Sequence, residues 1–242
     1  MSEEKIIQHS HKAIKLLKSK SKTIWEKILG FLEEIVIIII AVSLTLAFHN
    51  WNDRRKEREI EHNFLTGIRH DLLIDAGNLK EGITEFQPTV DYYDTVWKQI
   101  NTHTIDTAFI NGASGALINT MYLGYDGSRF EGFKSSGYLR LISNEKLSKH
   151  LMQAYSTDLP FQKEADDLVY SKRMSDFNQY IGTKASIDSA GKIHVSHLLD
   201  DPAVRFHIFY YRLYLKERQA QKSRLAKDLF KLADEIGEEL DK

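Results

Sequence analysis

Apolar residues in this chain gather into one unbroken run and several spaced stripes. Ile35 to Phe48 reads IVIIIIAVSLTLAF, with Ser43 and Thr45 its only polar members. That run alone is shorter than the ~20 residues a bilayer span requires. Ile28, Leu29, Phe31 and Leu32 extend it on one side, ahead of Glu33 and Glu34, and His49-Asn50-Trp51-Asn52 follows on the other. Trp25 and Trp51 lie 26 residues apart, about 39 Å along a helix, which is close to the headgroup-to-headgroup thickness where tryptophan prefers to sit. Four consecutive isoleucines, ended by Asp53-Arg54-Arg55-Lys56, favour a span solvated by lipid over a buried core helix. No small-x-small cleavage site follows, so the run reads as an uncleaved signal anchor. The pattern gives three parts: a basic amphipathic segment over 1–27, a transmembrane helix over 28–51, and a helical soluble domain over 52–242.

Beyond Asn52 the spacing becomes helical. Ile60, Phe64, Ile68, Leu72, Leu79, Ile83 and Phe86 recur at three- and four-residue steps or their sums, one stripe on a helix that continues the span as a stalk. Pro88 is expected to interrupt it before Val90 to Ile100 resumes. Ala116 to Leu123 reads as a short helix, and Ser128 as the cap of another that stops at Gly137. Ser143 or Asn144 caps a helix through Leu147, Leu151 and Tyr155, which Pro160 should break or kink. Residues 183–196 read as a small hairpin or an irregular loop around Ser189-Ala190-Gly191. Asp201-Pro202 opens a last helix, rich in Phe and Tyr up to Leu215, polar from Lys216 to Arg224, then striped by Leu225, Leu229, Leu232, Ile236 and Leu240. The fold class is therefore mainly α: one transmembrane helix continuing into a stalk and an antiparallel helical bundle, with a small β-hairpin as the one strand candidate.

Composition narrows the function classes. With 33 basic and 34 acidic residues the chain lacks the basic excess of a nucleic-acid binder. It has no cysteine, which removes disulfides, thiolate metal sites and cysteine nucleophiles together. Residues 5–27 hold seven lysines against five basic residues over 51–70. Ile6, Ile7, Ile14 and Leu17 share one side of a helix there, with lysines around the rest. Both features place the N-terminus in the cytoplasm and the large domain on the far side, which is periplasmic if the membrane is a bacterial inner membrane.

Two stretches resemble a family of uncharacterised bacterial single-pass membrane proteins, a domain of unknown function. The first runs from Glu34-Ile35-Val36 to Asn50-Trp51-Asn52-Asp53-Arg54-Arg55-Lys56, similar to the family's acidic residue, apolar span and Asn-Trp-Asn tail. The second, Phe133-Lys134-Ser135-Ser136-Gly137-Tyr138-Leu139-Arg140-Leu141-Ile142-Ser143-Asn144, is similar to its Leu-Lys-Ser-Ser-Gly signature, with Phe133 in place of Leu. His49 stands where the family tends to have Asn. The resemblance implies a bacterial membrane protein and implies no chemistry.

No catalytic set is complete. Glu59-x-x-His62 lacks the second copy that di-iron bundles need, and Ser143-x-x-Lys146 lacks its β-lactamase companions. His194 and His197, with Asp200 and Asp201, form the most metal-like cluster, although loop polarity and a helix cap at Asp201 are the favoured account of them. The residues single out no catalytic group, cofactor or metal. The interaction candidates are Glu34 at the membrane edge, Trp51, and the Ser135-Ser136-Gly137 turn. The small residues Ala41, Ser43, Thr45 and Ala47 permit close helix pairing in a bilayer. The reading is a membrane-anchored interaction or scaffold module whose partners are the lipid bilayer and a protein partner or a second copy of itself. A metal-dependent enzyme or sensor at His194/His197, and an oligomeric channel with Glu34 inside, are the alternatives.

Overall fold

The computed structural model describes residues 3–122 and 124–242, and their side chains except those of 3–23, 26, 27, 30, 33, 34 and 174. The side chains of Glu34 and, apart from Ile24 and Trp25, of the basic N-terminal segment therefore lie outside the described residues. The chain is mainly α and divides into two units, Met1–Glu59 and Ile60–Lys242. The first unit is helical wherever it is described, being the start of α1 (Glu3–Thr102). This helix is long and apolar enough to cross a membrane. Its side chains from Val36 to Leu46 are exposed throughout, and the Thr45 hydroxyl donates to the Ala41 carbonyl (2.8 Å), closing that polar group inside the helix.

In the second unit, the rest of α1 packs against α7 (Pro202–Leu240). Arg69 Nε donates to the Ala233 carbonyl (3.1 Å), Gln219 donates to Gln87 (3.1 Å), Arg212 reaches Asp94 (3.4 Å) and Trp97 packs on Phe209 (5.0 Å between ring centres). As α1 advances α7 recedes, so the two are antiparallel. The third rod is α4 (Glu145–Gln153), α5 (Leu159–Lys172) and α6 (Gln179–Lys184), joined by π-helical turns Ala154–Asp158 and Arg173–Asn178. Tyr155 meets Asp75 and Arg173 meets Tyr93, which sets this rod parallel to α1; His150 meets Glu235 and Tyr180 meets Asp201, which sets it antiparallel to α7.

A parallel pair needs a long return connection, and residues 103–144 supply it along the side of α1. The segment contains α2 (Thr107–Gly112) and α3 (Ser128–Ser135). Tyr92 Oη donates to the Ile110 carbonyl (3.2 Å) and Asn119 Nδ2 to Thr89 (3.2 Å). Further back, Arg129 pairs with Asp71 (2.6 Å), Phe133 stacks on Phe64 (3.7 Å) and the Ser143 N–H donates to Glu61 (2.6 Å). The hairpin β1 (Ser186–Ile187) and β2 (Ile193–His194) pairs Ser186 with His194 and Ile187 with Ile193, antiparallel.

Two apolar cores result. One gathers Ile68, Leu72, Phe130, Leu151 and Leu229; the other gathers Tyr93, Ile110, Leu117, Ile208 and Leu215. Between them along α7 lies a buried ionic layer. Asp166 accepts from Arg218 (2.8 Å) and Lys222 (2.6 Å), and all three side chains are at most 4% exposed. The stretch Lys216–Arg224, polar in the sequence, thus holds two interior cations, because a carboxylate from α5 meets them.

Several expectations need correction. Pro88 does not interrupt α1. Its missing N–H leaves one carbonyl without a helical donor, but Phe86, Val90, Tyr92 and Tyr93 around it are buried and hold the helix together. At Pro160 the regular α-helix is interrupted as expected, although the rod continues: the residue sits at the start of α5, directly after a π turn that alters the bonding pattern where the proline N–H is lacking. Over its described residues, Ala116 to Tyr122 is not a helix: a 3-10 turn at Ser114–Leu117 gives way to irregular chain that lies along α1, and Leu123 lies outside the described residues. Gly127, not Ser128, caps α3.

Asn144 caps α4 by accepting from the Leu147 N–H (3.1 Å), and Asp201 caps α7 by accepting from Ala203 (2.9 Å). Gly137 follows α3 with φ 71°, the left-handed region where a side chain is strained, although a Cβ there would touch nothing. Gly137→Ala should therefore destabilise the fold by about 1–2 kcal/mol through backbone strain alone. Thermal unfolding of the detergent-solubilised chain, followed by circular dichroism, measures this, and an unchanged midpoint would show that the turn relaxes.

Candidate functional site

The N-terminal half of α7 has two apolar faces. Val204, Ile208, Tyr211 and Leu215 point into the core and are all at most 3% exposed. Phe206, Phe209, Tyr210 and Leu213 recur at steps of three, four and seven residues, one face of the same helix, and remain 68%, 38%, 60% and 44% exposed. Isolated exposed apolar residues are ordinary; four on one helix face, three of them aromatic, form a patch. The Phe206 and Tyr210 rings lie near-parallel, 6.1 Å apart. Beside them a groove of about 300 Å³ is lined by Phe177, Tyr180, Phe206, His207 and Tyr210, so the π turn Arg173–Asn178 contributes one wall.

The groove has a rigid back. Arg173 is 4% exposed, yet its partners are neutral: the Leu117 carbonyl, Tyr93 Oη (3.2 Å) and His207 Nε2 (2.6 Å) accept from its guanidinium. Its charge lies 3.7 Å over the Tyr211 ring, a cation–π contact strengthened by burial. Burial, with the adjacent Arg173 charge second, pushes His207 down to about 3. The imidazole is thus neutral at physiological pH and free to accept from Arg173. Burial also raises Tyr93 to about 12, so its hydroxyl keeps its proton. The His207 ring stacks on Phe177 at 3.3 Å. These contacts fix the helix register that presents Phe206 and Tyr210.

The foot of α7 is held by ordinary structural bonds. The Tyr180 hydroxyl and Lys184 both donate to Asp201, and these bonds hold its carboxyl down at about 2. His194 bonds Asp188 (2.9 Å) and Asn111 (3.3 Å), His197 bonds the Lys184 carbonyl (3.1 Å), and Asp200 pairs with Arg205 (2.8 Å). The four residues of the metal-like cluster are therefore engaged separately, and among the described residues no group of three or more His, Asp or Glu is arranged to hold a metal ion.

Of the interaction candidates, Trp51 is 58% exposed on α1. The Ser135 and Ser136 hydroxyls both donate to the Gly132 carbonyl (3.1 and 2.8 Å), closing the end of α3 on itself next to Gly137. Within the second unit, the serine turn and the metal-like cluster are engaged with different partners. The sequence shows the aromatic richness before Leu215, but it holds two interleaved stripes there and periodicity alone does not say which faces the core.

No family model, curated protein or solved structure matches this chain.

Proposed function

We propose that this protein is a single-pass, membrane-anchored helical module that pairs with a second copy of itself through the outer face of α7. The observation that carries the reading is the exposed row Phe206, Phe209, Tyr210 and Leu213 behind which a second, buried row already fills the core. A row at this spacing is self-complementary about a two-fold axis. With two α7 helices antiparallel, Phe206 faces the partner's Leu213 and Phe209 faces the partner's Tyr210. Aromatic side chains dominate the energetics of such contacts. The anchor reading is supported by the exposed isoleucine run, the internally bonded Thr45 and the two flanking tryptophans. Lysine enrichment before the span supports a cytoplasmic N-terminus, and the family resemblance supports a bacterial inner membrane. Small residues at 41/45 and 43/47 are compatible with pairing inside the bilayer.

The wild-type chain in mild detergent should run as a dimer by light scattering after size exclusion. Phe206→Asp combined with Leu213→Asp should leave a monomer with unchanged helicity, since the buried face is untouched. A wild-type monomer at every accessible concentration, or a double variant that stays dimeric, overturns the pairing. Release of the protein from membranes by alkaline carbonate overturns the anchor.

A further inference from the structure

A second cavity, of about 430 Å³, opens between α1 and the return segment and is lined by Asn78, Glu81, Gly82, Glu85, Tyr122 and Lys222. Its charges are of both signs and do not satisfy one another. Glu81 and Glu85, one turn apart on α1, are exposed and form no ion pair among the described residues. Lys222 stands at the inner wall, 2% exposed, with its ammonium on Asp166 (2.6 Å). Asp166 is shared with Arg218, so the buried layer holds two cations against one carboxylate. That surplus positive charge lies in a region of low dielectric, where it is poorly screened.

The backbone leaves the space open. Gly82 lies inside α1, where glycine costs about 0.5–1 kcal/mol relative to alanine. Nothing in the packing requires it, because a Cβ built there would meet no atom within 4 Å. A side chain at that position would instead enter the cavity. An anion alone would have to pass two carboxylates, and an amine alone would approach a buried excess of positive charge. A molecule carrying both groups meets neither objection.

We propose that this cavity binds a small zwitterion of the α-amino acid class, its carboxylate on Lys222 and its ammonium between Glu81 and Glu85. Tyr122, whose ring is 60% exposed and carries Lys163 5.4 Å from its centre, forms the outer wall beside the ligand's side chain.

The test is calorimetric titration of the full chain in mild detergent with each standard α-amino acid, and with propionate and propylamine as single-charge controls. At least one amino acid should bind saturably, with both controls weaker by about tenfold or more. Gly82→Leu, which fills the cavity while improving helix propensity, should abolish binding without lowering the unfolding midpoint. Glu81→Gln with Glu85→Gln should weaken binding by about tenfold. No amino acid binding at up to about 10 mM overturns the proposal. So do controls that bind as well as the amino acid, or binding that survives Gly82→Leu.

Discussion

Asp166→Ala should cost about 3–5 kcal/mol, because it strands two buried cations. Arg218 and Lys222 are 4% and 2% exposed, and Asp166 is the carboxylate that both reach. Burial already lowers the Lys222 pKa from its ordinary value, against the opposing pull of Asp166. Without that pull the lysine should fall further and shed its proton on folding. A folded-state pKa below the unfolded one means that the unfolded chain binds more protons, so stability rises with pH in that window. The deficit of Asp166→Ala should accordingly shrink as the solution becomes alkaline. The comparison that isolates charge is the triple exchange Asp166→Leu, Arg218→Met, Lys222→Met, which should recover most of the loss or exceed the wild type. Thermal or urea unfolding in detergent reads all of these. An Asp166→Ala chain within about 1 kcal/mol of wild type would mean that the layer is hydrated.

Asp75→Asn should do the opposite and stabilise the protein at neutral pH. Asp75 is 3% exposed on α1 with no cation beside it among the described residues; the Tyr155 hydroxyl (3.4 Å) and the Asp126 backbone N–H donate to it. Burial, reinforced by the nearby Asp71 and Asp126 charges, pushes its pKa from 3.8 to about 6. Because the folded value is raised, the neutral carboxyl is favoured by the fold. Stability is then highest below pH 3.8 as far as this group is concerned, and falls as pH climbs through about 6. The charged form costs on the order of 3 kcal/mol above that pH. Asparagine stays neutral, can accept from Asp126 and donate to Tyr155, and should raise stability at pH 8 by up to that amount. The gain should vanish near pH 4, since both chains are then largely neutral at this position. Equal stability of the two at pH 8 would show that water or a cation already reaches Asp75.

The apolar stripes and the caps are legible in the sequence for a common reason: each is set by residues close along the chain. Ile68, Leu72 and Leu79 mark the buried side of α1 as Leu225, Leu229, Leu232 and Ile236 mark that of α7, and all are in the core. Asn144, Gly137 and the Asp201-Pro202 pair act within one turn of their own backbone. Pro88 misleads because local propensity takes no account of packing: its buried neighbours outweigh one lost hydrogen bond, whereas at Pro160 the preceding π turn accommodates the missing N–H. The return segment is opaque because its contacts, such as Phe133 on Phe64 and Arg129 on Asp71, are separated by more than fifty residues.

Sequence alone determined the mainly helical class, the anchor-like isoleucine run and the main helix starts, since periodicity, composition and capping chemistry are local properties of the chain. Tertiary structure decided what pairs with what. It chose which of two stripes on α7 is the core and left Phe206 and Tyr210 outside. It brought Asp166 to Arg218 and Lys222 and made an interior of an apparently polar stretch. It also separated the four residues of the metal-like cluster. Burial and charge pairing depend on partners distant along the chain, and only the packed bundle brings those partners within reach.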